Sequence, residues 1–174
     1  MITQSFPMII GGDEVINENQ LHVTVEDGFY MQSPDSVRYL ILHCSATRCD
    51  RTYTVKQMLR DHQARGFRTI GYHFYVTRSG IVTQHRKLLE VGAHCRPWNR
   101  CSIGICYEGG LDEQGKPADT RTAEQTEQLS LLLCKLLRLF PHAVIRGHRD
   151  MPEITPKVCP CFDAGTAFGH LQRS

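Results

Sequence analysis

VRYLILH, residues 37–43, is a nearly continuous apolar run that ends in a histidine. It is too short for a stable helix and lacks the alternation of a half-exposed strand. It therefore reads as a strand buried on both faces. SIGICY (102–107) and AVIRGH (143–148) have the same form, and the second also ends in a histidine. Between these runs lie helix signals. TVKQ at 54–57 is a capping box, followed at helical spacing by Val55, Met58, Leu59 and His62, with Gly66 as a stop. TAEQ at 122–125 is a second capping box. It opens a helix with Leu129, Leu132, Leu133, Leu136 and Leu137 on one face, which Pro141 ends. YHFYVTR (72–78) reads as a strand, Ser79 and Gly80 as a tight turn, and IVTQ (81–84) as the returning hairpin partner. Residues 44–53, 92–100 and 109–120 are polar or turn-rich. Buried strands alternating with helices predict a single α/β domain with a central mixed β-sheet flanked by helices. Residues 1–36, with a strand-like run over 21–25, read as an N-terminal extension that packs loosely on the main body, and residues 164–174 as a C-terminal tail.

A chain of 174 residues supports one substantial core. With 41% hydrophobic and 22% charged residues it is not a disordered composition. A net charge of +2 is too small to indicate nucleic acid as partner. No apolar run reaches the length of a membrane span. The first residues lack a basic segment and break at Gly11, Gly12 and Asp13, so no secretory signal is read and synthesis in the cytoplasm is expected. The eight cysteines are then expected to be mostly reduced. Cys44, Cys106 and Cys134 lie within apolar patterns, where a thiol behaves as a small hydrophobe.

His43 and His148 each stand at the C-terminal end of a predicted buried strand, where α/β sheets gather ligands and catalytic groups. Cys159 follows His148 by 11 residues through a Pro-rich loop. Two imidazoles and a thiolate form a common catalytic zinc set that leaves a fourth position for water. That spacing is weakly specific, because a lone histidine is more often a structural hydrogen-bonder than a ligand. Other zinc patterns are missing: there is no H-E-x-x-H, no paired C-x-x-C, and no deaminase-type H-x-E with P-C-x-x-C.

Six segments carry a resemblance: LILHCSAT (40–47), GYHFYVTRSG (71–80), VGAH (91–94), NRCSIGICYEGG (99–110), RGHRD (146–150) and PKVCPCFD (156–163). In order and separation they resemble the type 2 N-acetylmuramoyl-L-alanine amidases, a family of phage lysis enzymes (endolysins) and peptidoglycan recognition proteins. The phage lysis type is the nearer likeness. The resemblance covers residues 37–163 and implies a zinc amidase domain there. It implies zinc ligands His43, His148 and Cys159, a catalytic tyrosine at Tyr72 and a catalytic lysine at Lys157. Cys161 departs from the pattern and offers a second sulfur near the metal position. The implied reaction is hydrolysis of the amide between N-acetylmuramic acid and L-alanine, by a bacteriolytic hydrolase that acts on the cell wall; a monomer that inserts in no membrane is expected. Zinc would lower the pKa of water from about 15.7 to about 7, and Lys157 would stabilise the oxyanion. Tyr72 would bond that oxygen or orient the water. The alternative is a non-catalytic peptidoglycan-binding module, as in family members that lack the metal cysteine; Cys159, Tyr72 and Lys157 favour the enzyme.

His94, Arg96, Trp98 and Asn99 are candidate substrate-binding residues in the polar loop. Trp98 either stacks on a sugar face or tucks under its own loop. His73 alternates with Tyr72 and should point to the opposite side of the strand as a structural residue. The remaining histidines have no such context.

Overall fold

The computed structural model describes residues 8–9, 29–152 and 157–173. In chain order the elements are β1 Met8–Ile9, β2 Tyr39–Cys44, β3 Thr47–Arg48, α1 Val55–Ala64, β4 Phe74–Val76, β5 Val82–Gln84, β6 Ser102–Tyr107, β7 Gly110–Leu111, α2 Ala123–Leu139, β8 Val144–Gly147 and α3 Ala164–Phe168. Six strands form one sheet in the order β1-β5-β4-β6-β2-β8. β4, β6, β2 and β8 run parallel, while β5 pairs antiparallel with both β4 and β1, so the sheet is mixed as predicted. The strand read first, β2, lies inside it, with Leu42 opposite Ile105 on one side and Gly147 on the other.

Alternation along the strands separates two faces. Leu40 and Leu42 of β2, Phe74 and Val76 of β4, and Ile103 and Ile105 of β6 form one core with Leu129, Leu132, Leu133 and Leu136 of α2. Each such leucine stabilises the fold by about 1.5–3 kcal/mol through burial. On the opposite face Tyr75 and Cys106 pack with Met58 of α1. His43 belongs to that second face by its parity with Ile41.

Both capping boxes form. The Thr54 hydroxyl accepts from Gln57 N at 3.2 Å while Gln57 Oε1 accepts from Thr54 N at 2.7 Å. The corresponding bonds of Thr122 and Gln125 are 3.1 and 3.0 Å. Gln125 Nε2 also donates to the carbonyls of Val76 and Glu108, tying α2 to the ends of β4 and β6. Gly66, just past α1, has φ +87°, the left-handed conformation that glycine adopts without a Cβ clash.

The structure departs from the sequence reading in several places. The strand expected over 72–78 is shorter, because Gly80 N bonds back to Thr77 O and turns the chain early. The turn-like 44–53 segment contains β3, which pairs with β7. The expected loosely packed extension includes Met31, only 2% exposed, and β1, which adds a strand to the edge beside β5. The run over 21–25 lies outside the described residues. Beyond residue 163 the chain forms α3, capped by Asp163 accepting from Thr166 N, with Ala164 and Phe168 buried in the main core. All eight cysteines are free.

His73 is fully buried, and burial pushes its pKa down from 6.5 to about 3. Its Nδ1 accepts from Gly104 N, so Nε2–H donates to Glu90 O and no site remains for a second proton. His62 is lowered to about 4, by burial and then by Arg65. Unfolded chains take up these protons near pH 6.5 and the folded chain does not. Stability is therefore complete above about pH 6.5 and is lost as pH falls toward 4. In metal-free protein the melting temperature should hold between pH 8 and 7 and decline steadily below about 6.5. A flat profile to pH 4 would mean that the fold accepts both imidazolium ions.

Candidate metal centre

β2 and β8 are neighbouring parallel strands, so their C-terminal ends lie side by side. His43 is the penultimate residue of β2, and His148 follows β8 directly. That topology places the two imidazoles with ring centroids 4.6 Å apart. Cys159 arrives from the returning loop. Arg149 N donates to Cys159 O at 2.8 Å, Tyr107 Oη donates to Pro160 O at 2.7 Å, and Cys44 N donates to Cys159 Sγ at 3.3 Å. The loop is thus held by the ends of three strands.

One donor atom from each of His43, His148 and Cys159 lies within 4.8 Å of the others, and Cys159 Sγ is 3.8 Å from His43 Nδ1. A tetrahedral zinc with bonds of about 2.0–2.3 Å sets its ligand atoms roughly 3.3–3.8 Å apart; the His43–Cys159 separation matches that spacing, and the full set, within 4.8 Å, needs only a small inward shift to hold the ion. The imidazoles are also held uncharged, as ligands must be. Burial, then His148 and Lys157, push the His43 pKa well down. Burial and then Lys157 lower His148 to about 4. Cys161 stands apart: its Sγ lies 3.9 Å from Cys44 Sγ, and burial raises its pKa to about 12.

These side chains line a cavity of about 770 Å³ together with Tyr72, His94, Arg96, Asn99 and Lys157. Tyr72 packs its ring 5.0 Å from that of His43. Burial foremost, then the nearby thiols of Cys106, Cys159 and Cys44, push its pKa well above 10, so the phenol keeps its proton at neutral pH. Lys157 is exposed, and its charge reaches both imidazoles.

The polar-loop candidates divide. His94 reaches the centre directly, with Nδ1 2.9 Å from His43 Nε2. Asn99 turns its Oδ1 inward to accept from His94 N and Cys95 N. Arg96 is exposed at the cavity. Trp98 lies outside the lining: its Nε1 donates to Pro152 O, and its ring meets Tyr39 edge-on at 5.7 Å. His73 is fully buried and does not line the cavity, but it does not point away from the site as alternation had suggested: its ring meets that of His94 edge-on at 5.9 Å, because Nδ1 is drawn to Gly104 N of β6. Sequence reasoning passed over Ser102, buried beneath His94, whose Oγ is 3.4 Å from His94 Nε2. The available signal was Gly104, a glycine inside a buried strand, which marks a close approach. A Cβ there would sit 2.5 Å from His94 Cγ.

The pattern of N-acetylmuramoyl-L-alanine amidases matches residues 33–162. An endolysin of Escherichia phage T7 is 37% identical over 129 residues, spanning 74% of this chain and 83% of that protein. Among solved structures, the N-acetylmuramoyl-L-alanine amidase LysC from Clostridium intestinale superposes with a TM-score of 0.65 at 20% identity, covering 85% of this chain and 93% of that one. Drosophila PGRP-LB gives a TM-score of 0.62 at 22% identity, with 82% of each chain covered. These two show a shared fold, and the sequence match goes further: this chain belongs to the N-acetylmuramoyl-L-alanine amidase family.

Proposed function

We propose that this peptidoglycan amidase cleaves the bond between N-acetylmuramic acid and the L-alanine of the stem peptide with a zinc ion held by His43, His148 and Cys159. The observation that carries the reading is the convergence of those three donors on one cavity that also receives Tyr72 and Lys157. Held there, zinc would supply Lewis acidity and a water nucleophile near neutral pH. The chain's own residues do the rest. His43 and His148 stay uncharged, so that each would have a ring-nitrogen lone pair free to hold the ion. Lys157 brings its ammonium to the scissile carbonyl oxygen as negative charge develops there, where electrostatic stabilisation is strongest. Tyr72 retains its proton and acts as a hydrogen-bond donor to the same oxygen, not as a base. Arg65, Arg96 and Lys157 give the cavity a positive margin suited to the carboxylates of a stem peptide. Substrate is therefore the cell wall, and among the described residues no helix is long and apolar enough to cross a membrane.

Mass spectrometry of digested peptidoglycan tests this reading. Free stem peptides beginning with L-alanine should appear, glycan strands should stay intact, and a chelator should stop the release. New reducing sugar ends without free peptides would mean that a different bond is cut. Wall binding without any product would support a recognition module instead.

A further inference from the structure

The ring of His94 occupies a slot that two glycines keep open. A Cβ on Gly92 would meet His94 Cδ2 at 2.6 Å, and one on Gly104 would meet three ring atoms at 2.5–2.7 Å. Asn99 fixes the backbone on either side of this residue by accepting from His94 N at 2.9 Å and Cys95 N at 2.8 Å. The imidazole is therefore held in one orientation, between His43 and Ser102.

Hydrogen-bond directions along this row follow from counting protons. The single hydroxyl proton of Ser102 goes to Trp98 O at 2.7 Å. At 3.4 Å from His94 Nε2, Ser102 Oγ must then accept, so Nε2 of His94 carries the N–H. An uncharged imidazole has only one N–H, which leaves His94 Nδ1 as an acceptor. Its partner 2.9 Å away, His43 Nε2, must be the donor. His43 is thereby locked with its proton on Nε2, and its Nδ1 lone pair points toward Cys159 Sγ, 3.8 Å away.

Resting on the zinc reading above, we propose that His94, backed by Ser102, is a positioning residue that sets the tautomer and ring angle of His43 for metal binding. This assigns His94 to the support of a ligand and not to contact with substrate. Outer partners of this kind fix the donor nitrogen and raise its basicity, and losing one typically costs about 10–100-fold in metal affinity.

Zinc affinity measured by competition with a chromogenic chelator, together with the absorption spectrum of the cobalt-substituted protein, tests the assignment. His94→Leu should weaken zinc binding by about 10–100-fold and alter the cobalt bands. His94→Asn retains an acceptor near the Nδ1 position and should recover most of that loss. Ser102→Ala removes the outer link together with the bond to Trp98 O, leaves the His43–His94 contact in place, and should shift affinity in the same direction by less. Parental affinity and spectrum in a folded His94→Leu overturn the proposal. If that variant does not fold, parental values in Ser102→Ala overturn it. A parent protein that takes up no zinc overturns the metal centre and this proposal together. A zinc-loaded parent with unaffected variants overturns the positioning role alone.

Discussion

His148→Ala should leave a folded protein that holds no zinc and whose wall-cleaving rate falls by at least about 10³-fold. Its side chain is one of three donors that converge there among the described residues, and it stands past the end of β8, outside the sheet's own hydrogen bonding. Half-buried at the cavity, it carries little of the packing that leucines of α2 supply on the opposite face. Two donors do not hold zinc at the affinity of three, so metal and activity fall together while secondary structure persists. Metal analysis, circular dichroism and release of stem peptides from purified wall measure the three properties on one sample. Full zinc in His148→Ala would remove this residue from the ligand set. Full zinc in Cys159→Ser would likewise move the sulfur ligand elsewhere, although Cys161 faces Cys44.

Lys157→Ala separates chemistry from metal binding. The ammonium sits two residues before Cys159 on the loop that the strand ends hold, and its charge lowers the pKa of both His43 and His148. It is near enough to the centre to act on an oxyanion, yet lysine is not among the donors that converge there. Its loss should leave zinc content and melting temperature unchanged and reduce turnover by about 10²–10³-fold. Cleavage near the parental rate would make Lys157 an ordinary exposed charge. The contrast with His148→Ala matters more than either variant alone, since the two lose activity for different reasons.

What could be read from the chain and what could not follow from the kind of signal involved. VRYLILH, SIGICY and the two capping boxes are local patterns, and each became the element it predicted. The pairing of β2 with β8, which joins His43 to His148, is not written locally. Two histidines at strand ends gain meaning only once those strands are neighbours, and the family resemblance supplied that link before the structure did. β3 and β7 are two residues each, too short for any periodicity to register. α3 was legible in principle, through Asp163 as a cap ahead of Ala164 and Phe168, but a five-residue helix has little pattern beyond its cap. Trp98 illustrates a different limit. A tryptophan in a polar loop suits a sugar face or its own loop equally well, and only the bond to Pro152 O decides its placement.

The loop that brings Cys159 to the strand ends has a consequence for the chain as a polymer. His43 and Cys159 are 116 positions apart, so an ion bound to both ties the interior strand β2 to a segment near the far end of the chain. Such a tie restricts the unfolded ensemble much as a covalent cross-link over a long loop does, and it favours the folded state in proportion to how tightly the ion binds. The zinc proposed for this site would then be a staple as well as a reagent. A variant that weakens its grip gives up some of the chain's hold on its own shape along with its chemistry.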